Sequence, residues 1–152
     1  IAEETFISST YWTDRVGLVA ALATIKKMRD HNVPAHLIDM GTRVQQGWKK
    51  LADQHQLNIS VSGEEMAPLG HFSFNYENAL AMKTLFTQFM LEKGYLATNA
   101  YYASYAHTPE KIADYLKVTG DCFRFLVKAV EENRVESELK GPVCHAGFQR
   151  LT

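Results

Sequence analysis

Apolar positions recur along the chain with two different periods, and the change of period divides it. From 14 to about 30 the apolar residues Val16, Leu18, Val19, Ala20, Ala21, Leu22, Ala23, Ile25 and Met28 run almost all the way round a helix, so the pattern predicts a helix covered on most sides. Thr13 or Asp14 can cap it, and Lys26, Lys27 and Arg29 suit the negative pole of its dipole. A second helix, 34–55, opens at Pro34, where a missing N–H costs nothing. Its stripe is Leu37, Met40, Val44, Trp48 and Leu51 at spacings of three and four. Gly41 and Gly47 each weaken it by about 1 kcal/mol relative to alanine, so packing must hold it.

The period then falls to two. Residues 57–62 alternate strictly and predict a half-buried strand. After a turn, 69–76 predict a second, with Phe72, Phe74 and Tyr76 on one face. An antiparallel hairpin is the simplest pairing. A third helix, 77–93, has Ala79, Met82, Phe86, Phe89 and Met90 on its buried side and stops at Gly94. Residues 95–105 are extended and aromatic. Thr108 and Pro109 form a helix start, and Ile112, Leu116, Phe123, Leu126 and Val130 carry a long helix to about 133. A tail follows, punctuated by Gly141 and Pro142. The order predicts an α+β fold, a small antiparallel sheet covered by helices, with a long N-terminal helix.

Composition narrows the function classes. The 152 residues suffice for one domain with a real core. Sixteen basic against seventeen acidic residues exclude a broad basic footprint, so no nucleic acid or acidic lipid partner is expected. No run approaches the length of a membrane span, so no membrane association is expected. Two cysteines make no disulfide scaffold, no secretory leader opens the chain, and a cytoplasmic, reducing setting is expected. The start at Ile1 rather than Met predicts a piece of a longer chain.

Candidate chemistry is sparse. None of the six histidines forms an HExxH pair, Cys122 and Cys144 lack CxxC spacing, and no metal site is expected. Cys144 reads as structural although His145 follows it. No glycine-rich phosphate cradle is present. Ser8, Ser9 and Thr10 precede the first helix, where hydroxyls and backbone N–H groups can hold an anion; alone they read as an ordinary loop and cap. All ten lysines read as solvated, since a Schiff-base lysine needs a desolvating pocket. Tyr101, Tyr102 and Tyr105 can line a pocket but read first as core, and Arg150 reads as a solvated tail residue.

The run Phe6-Ile7-Ser8-Ser9-Thr10-Tyr11-Trp12, followed by Gly17-Leu18-Val19-Ala20-Ala21-Leu22-Ala23-Thr24, resembles the class III pyridoxal-phosphate aminotransferases, and most closely the branch of glutamate-1-semialdehyde aminomutase. Three further stretches agree with that family: Gly41 to Leu51 with its "G…G…L" helix, Lys93-Gly94-Tyr95-Leu96 with its turn into a strand, and Ser104 to Ile112 with its "S-x-A-H-T-x-E-D-I" helix entry. Tyr11 to Arg15 stand where the family carries "SGNP", and Asn99-Ala100-Tyr101-Tyr102 replace the segment in which the aminomutases carry a glutamate. The resemblance implies the C-terminal small domain of a fold-type-I enzyme: residues 1–13 as a cofactor-loop segment, and 14–152 as a connector helix plus small domain. It implies pyridoxal phosphate as the parent's cofactor, held in part by Ser9 and Thr10 reaching the cofactor phosphate across a homodimer. The Schiff-base lysine would lie upstream, so no catalytic residue falls in this chain, which would be inactive alone. Its partners would be an upstream large domain, a second subunit, and a small-molecule amino donor and carbonyl acceptor. The alternative is a stand-alone protein-interaction module derived from this domain, without a cofactor.

Overall fold

The computed structural model describes residues 14–147. Two compact units divide the chain after Pro34. In the first, α1 (Arg15–Asp30) starts where the sequence places it, and Asp14, one of the two caps the sequence offers, caps it: its carboxylate accepts from Val16 N at 2.9 Å. None of the α1 residues is buried; Val16, Leu18, Val19 and Leu22 are each more than 60% exposed. Among the described residues of this unit, nothing supplies the covering that the apolar pattern predicts.

The second unit holds the core. Its elements are α2 (Val33–His55, whose first two residues precede the division), β1 (Ile59–Ser62), a short 3-10 turn (Glu64–Met66), β2 (Leu69–Phe74), α3 (Ala79–Glu92), β3 (Ala100–Tyr102) and α4 (Pro109–Glu131). The three strands form one antiparallel sheet with β2 in the centre. Ile59 pairs with Phe74 and Ser62 with His71 on one side; Leu69 pairs with Tyr102 on the other. This is the α+β architecture the pattern predicts.

Alternation along β2 decides which face is covered. Gly70, Phe72 and Phe74 point inward and are buried, while Leu69, His71 and Ser73 face out. Phe72 is the hub. Its ring lies edge-on to Trp48 of α2 at 4.9 Å, Phe86 of α3 at 5.3 Å and Phe123 of α4 at 5.8 Å, so one strand residue ties three helices to the sheet. Met40, Val44 and Trp48 of the α2 stripe are buried. So are Met82, Leu85, Phe86 and Met90 of α3, and Ile112, Phe123 and Leu126 of α4. Residues at the margins of the predicted stripes, Leu37, Leu51, Phe89, Leu116 and Val130, are half-buried.

Close approach explains the glycines that helix propensity disfavours. A Cβ on Gly41 would stand 1.9 Å from the Ala67 carbonyl oxygen, and one on Gly47 would meet the Leu116 side chain at 2.4 Å. The loop that crowds Gly41 is held by Gln45, a buried polar residue whose Nε2 donates to the carbonyls of Gly63 and Ala67 at 3.2 and 3.0 Å. Its burial is acceptable because those bonds replace water. Gly94, at φ +85°, ends α3 as expected, and Tyr95 N then donates back to the Met90 carbonyl at 2.9 Å.

The tail is pinned to α3. Gln88 donates to the Glu138 carbonyl and accepts from Lys140 N, and Cys144 N donates to Thr84 Oγ1 at 3.0 Å. Cys122 is buried in α4, where burial pushes its thiol pKa up. Among the described residues no helix is long and apolar enough to cross a membrane.

Candidate functional site

Three local signals build a cleft beside the sheet. The turn at Gly94 sends the chain out along an extended stretch into β3. The loop 103–107 then returns it to α4, where Thr108 caps the helix by accepting from Lys111 N at 3.4 Å and Pro109 occupies the first turn. Between these segments lies a cavity of about 560 Å³, lined among others by Tyr95, Thr98, Tyr101, His107, Lys111 and Tyr115. That volume falls within the roughly 300–1,000 Å³ common for small-molecule sites.

His107 is its most constrained member. Nδ1 accepts the backbone N–H of Ser104 at 3.0 Å and meets the Tyr101 hydroxyl at 2.7 Å. A backbone N–H can only donate, so Nδ1 carries the lone pair and the ring proton sits on Nε2. The Tyr101 hydroxyl then donates as well, and burial pushes its pKa up to about 12, which keeps that proton in place. The His107 carbonyl accepts from His36 Nε2 at 2.9 Å, tying the loop to α2. The ring also stacks on Tyr101, with centroids 5.1 Å apart. Tyr95, Tyr102 and Tyr115 add further aromatic lining: the Tyr115 hydroxyl accepts from Trp48 Nε1 at 3.0 Å, and burial raises its pKa to about 12.

The His107 imidazole titrates below its ordinary range, first because burial penalises the cation and then because Lys111 and His36 repel it. The sign follows. Above about pH 6.5 the ring is neutral in both folded and unfolded chains; as pH falls, the unfolded chain binds its proton first, so stability drops between about 6.5 and the lower folded midpoint and is flat below that. Protonation at Nδ1 also costs the Ser104 bond. We expect an NMR titration to place the His107 midpoint below the ordinary histidine value of about 6.5. Urea midpoints at neutral and acid pH should differ more for the native chain than for His107→Gln, and equal differences would remove His107 from the linkage.

The residues singled out from sequence assemble here only in part. Ser9, Thr10 and Arg150 lie outside the described residues. Tyr101 and Tyr102 do line the cleft, whereas Tyr105 meets His36 edge-on at 5.1 Å. Lys111 read as merely solvated; it is exposed, yet it also borders the cleft. Its signal was the spacing of Lys111, Asp114 and Tyr115, three and four residues apart beside the apolar stripe, which puts them on one helix face. Cys144 is held by its backbone, in keeping with a structural role.

The ten lysines give no cofactor anchor. Nine are exposed and Lys83 is half-buried, so none stands in the dry surroundings that Schiff-base chemistry needs. Among the described residues no three of His, Cys, Asp and Glu stand together as a metal site would need.

The sheet and its helices form an α+β fold that also occurs in a protein solved with pyridoxal phosphate. That protein is FumI of Sphingopyxis sp. MTA144, whose structure is of the pyridoxal-phosphate internal aldimine form. The two superpose with a TM-score of 0.74 at 20% identity over 86% of this chain. The match takes in 31% of FumI, so this chain spans about a third of that protein's length. No known family's sequence profile matches the chain, and no curated protein does.

Proposed function

We propose that this chain is the C-terminal small domain of a pyridoxal-phosphate-dependent aminotransferase of class III, of the kind that passes an amino group to a semialdehyde or keto-sugar acceptor. The observation that carries the reading is the likeness to FumI over 86% of the chain, in a protein of which it spans 31%. The Phe6 to Thr24 run supports the finer assignment. In that reading pyridoxal phosphate is the parent's cofactor. Ser9 and Thr10 supply a hydroxyl and an N–H to its phosphate in the second subunit of a homodimer, and α1 is the connector from an upstream large domain. The apolar residues that α1 exposes fit such a covering, because several large apolar side chains in water favour association.

The described residues do not fit the cofactor by themselves. With every lysine solvated or half-solvated, no chemical step is assigned to this chain, and its part is to shape and close a site built elsewhere. Two experiments test this. Upstream coding sequence should encode a lysine-bearing large domain; an initiator Met directly before Ile1 would favour the interaction module instead. The 152-residue chain mixed with pyridoxal phosphate and reduced with borohydride should give no stoichiometric adduct at one lysine. Such an adduct, located by mass spectrometry, would overturn the fragment reading.

A further inference from the structure

The cleft between β3 and α4 is bordered by two side chains of opposite charge, Lys111 and Asp114. The Tyr101 hydroxyl donates to His107, the Tyr115 hydroxyl accepts from Trp48, and both residues line the cavity. Nδ1 of His107 is occupied, which leaves the Nε2–H as a neutral donor. Lys111 Nζ donates to the Ala106 carbonyl at 2.9 Å, and an ammonium has two further N–H bonds to give. Asp114, one helical turn on, borders the same cavity. Lys111 and Asp114 form no ion pair with each other or with any other described residue.

A cation with N–H bonds to spare, a neutral N–H and a carboxylate beside aromatic residues match a ligand with both charges and a flat apolar body. A plain carboxylate would leave Asp114 facing a like charge; a plain amine would leave Lys111 doing so. We propose that this cleft binds a small aromatic α-amino acid as its zwitterion, the carboxylate toward Lys111 and His107, the ammonium toward Asp114, and the ring against the tyrosines. The site is separate from the cofactor reading and needs no cofactor to be occupied.

Isothermal titration calorimetry on the 152-residue chain, with L-phenylalanine, 3-phenylpropanoate and phenethylamine as probes, tests this. L-phenylalanine should bind, and each analogue, lacking one charge, should bind roughly tenfold more weakly. Asp114→Asn should abolish discrimination against 3-phenylpropanoate, and Lys111→Met discrimination against phenethylamine. Both residues are exposed, so the fold should survive, as far-UV circular dichroism will show. If a variant fails to fold, the three probes on the unaltered chain still decide. No binding of L-phenylalanine, an analogue bound as tightly, or discrimination unchanged in folded variants would overturn the proposal.

Discussion

Phe72→Ala is expected to lower the free energy of unfolding by about 3–5 kcal/mol. Phe72 is fully buried in the central strand, and its ring meets one aromatic residue from each of α2, α3 and α4. Removing the ring forfeits its burial and leaves a void bordered by Trp48, Phe86 and Phe123. Those rings cannot collapse into the space together, because each is fixed to a different helix. Phe72→Leu keeps most of the volume and should cost well under half as much. Urea denaturation followed by circular dichroism measures both. A loss below about 1 kcal/mol for the alanine variant would mean that the hub is not the centre of the core.

Gly41→Ala should destabilise by about 3 kcal/mol, at the upper end for overpacking. Propensity alone predicts the opposite, since alanine is favoured over glycine inside a helix by about 1 kcal/mol. The sign reverses because the added Cβ would sit 1.9 Å from the Ala67 carbonyl oxygen and 2.4 Å from its carbon. These are backbone atoms. The segment also receives two hydrogen bonds from buried Gln45, so it cannot give way cheaply. Gly17→Ala is the control: it lies inside α1 with nothing within 4 Å of the new methyl, and should leave stability unchanged or raise it by up to about 1 kcal/mol. The same urea measurement checks both variants, and a neutral Gly41→Ala would show that the loop does not press on α2.

Much of the fold was legible residue by residue. The period-two runs at 57–62 and 69–76 became β1 and β2 in the antiparallel pairing expected. The stop at Gly94 and the Thr108–Pro109 start appear where side-chain chemistry places them. The candidate site was legible only in pieces. Tyr101, His107 and Lys111 could each be seen, but as an aromatic strand residue, part of a helix entry and a solvated cation. Nothing local says that the Tyr101 hydroxyl reaches His107 Nδ1, or that His36, 71 residues away, holds the His107 carbonyl.

The sequence by itself determined the kinds and order of the helices and strands, their ends to within about two residues, and the inward face of β2. Those depend on side-chain period, caps and backbone freedom, which act within a turn or two of the chain. Only the tertiary structure decided that β3 joins β2 as the third strand, that Gly41 must lack a side chain, and that His107 keeps its proton on Nε2 at the wall of a cleft. Each of these depends on which distant segment arrives beside a residue, and that is set by how whole apolar faces pack together.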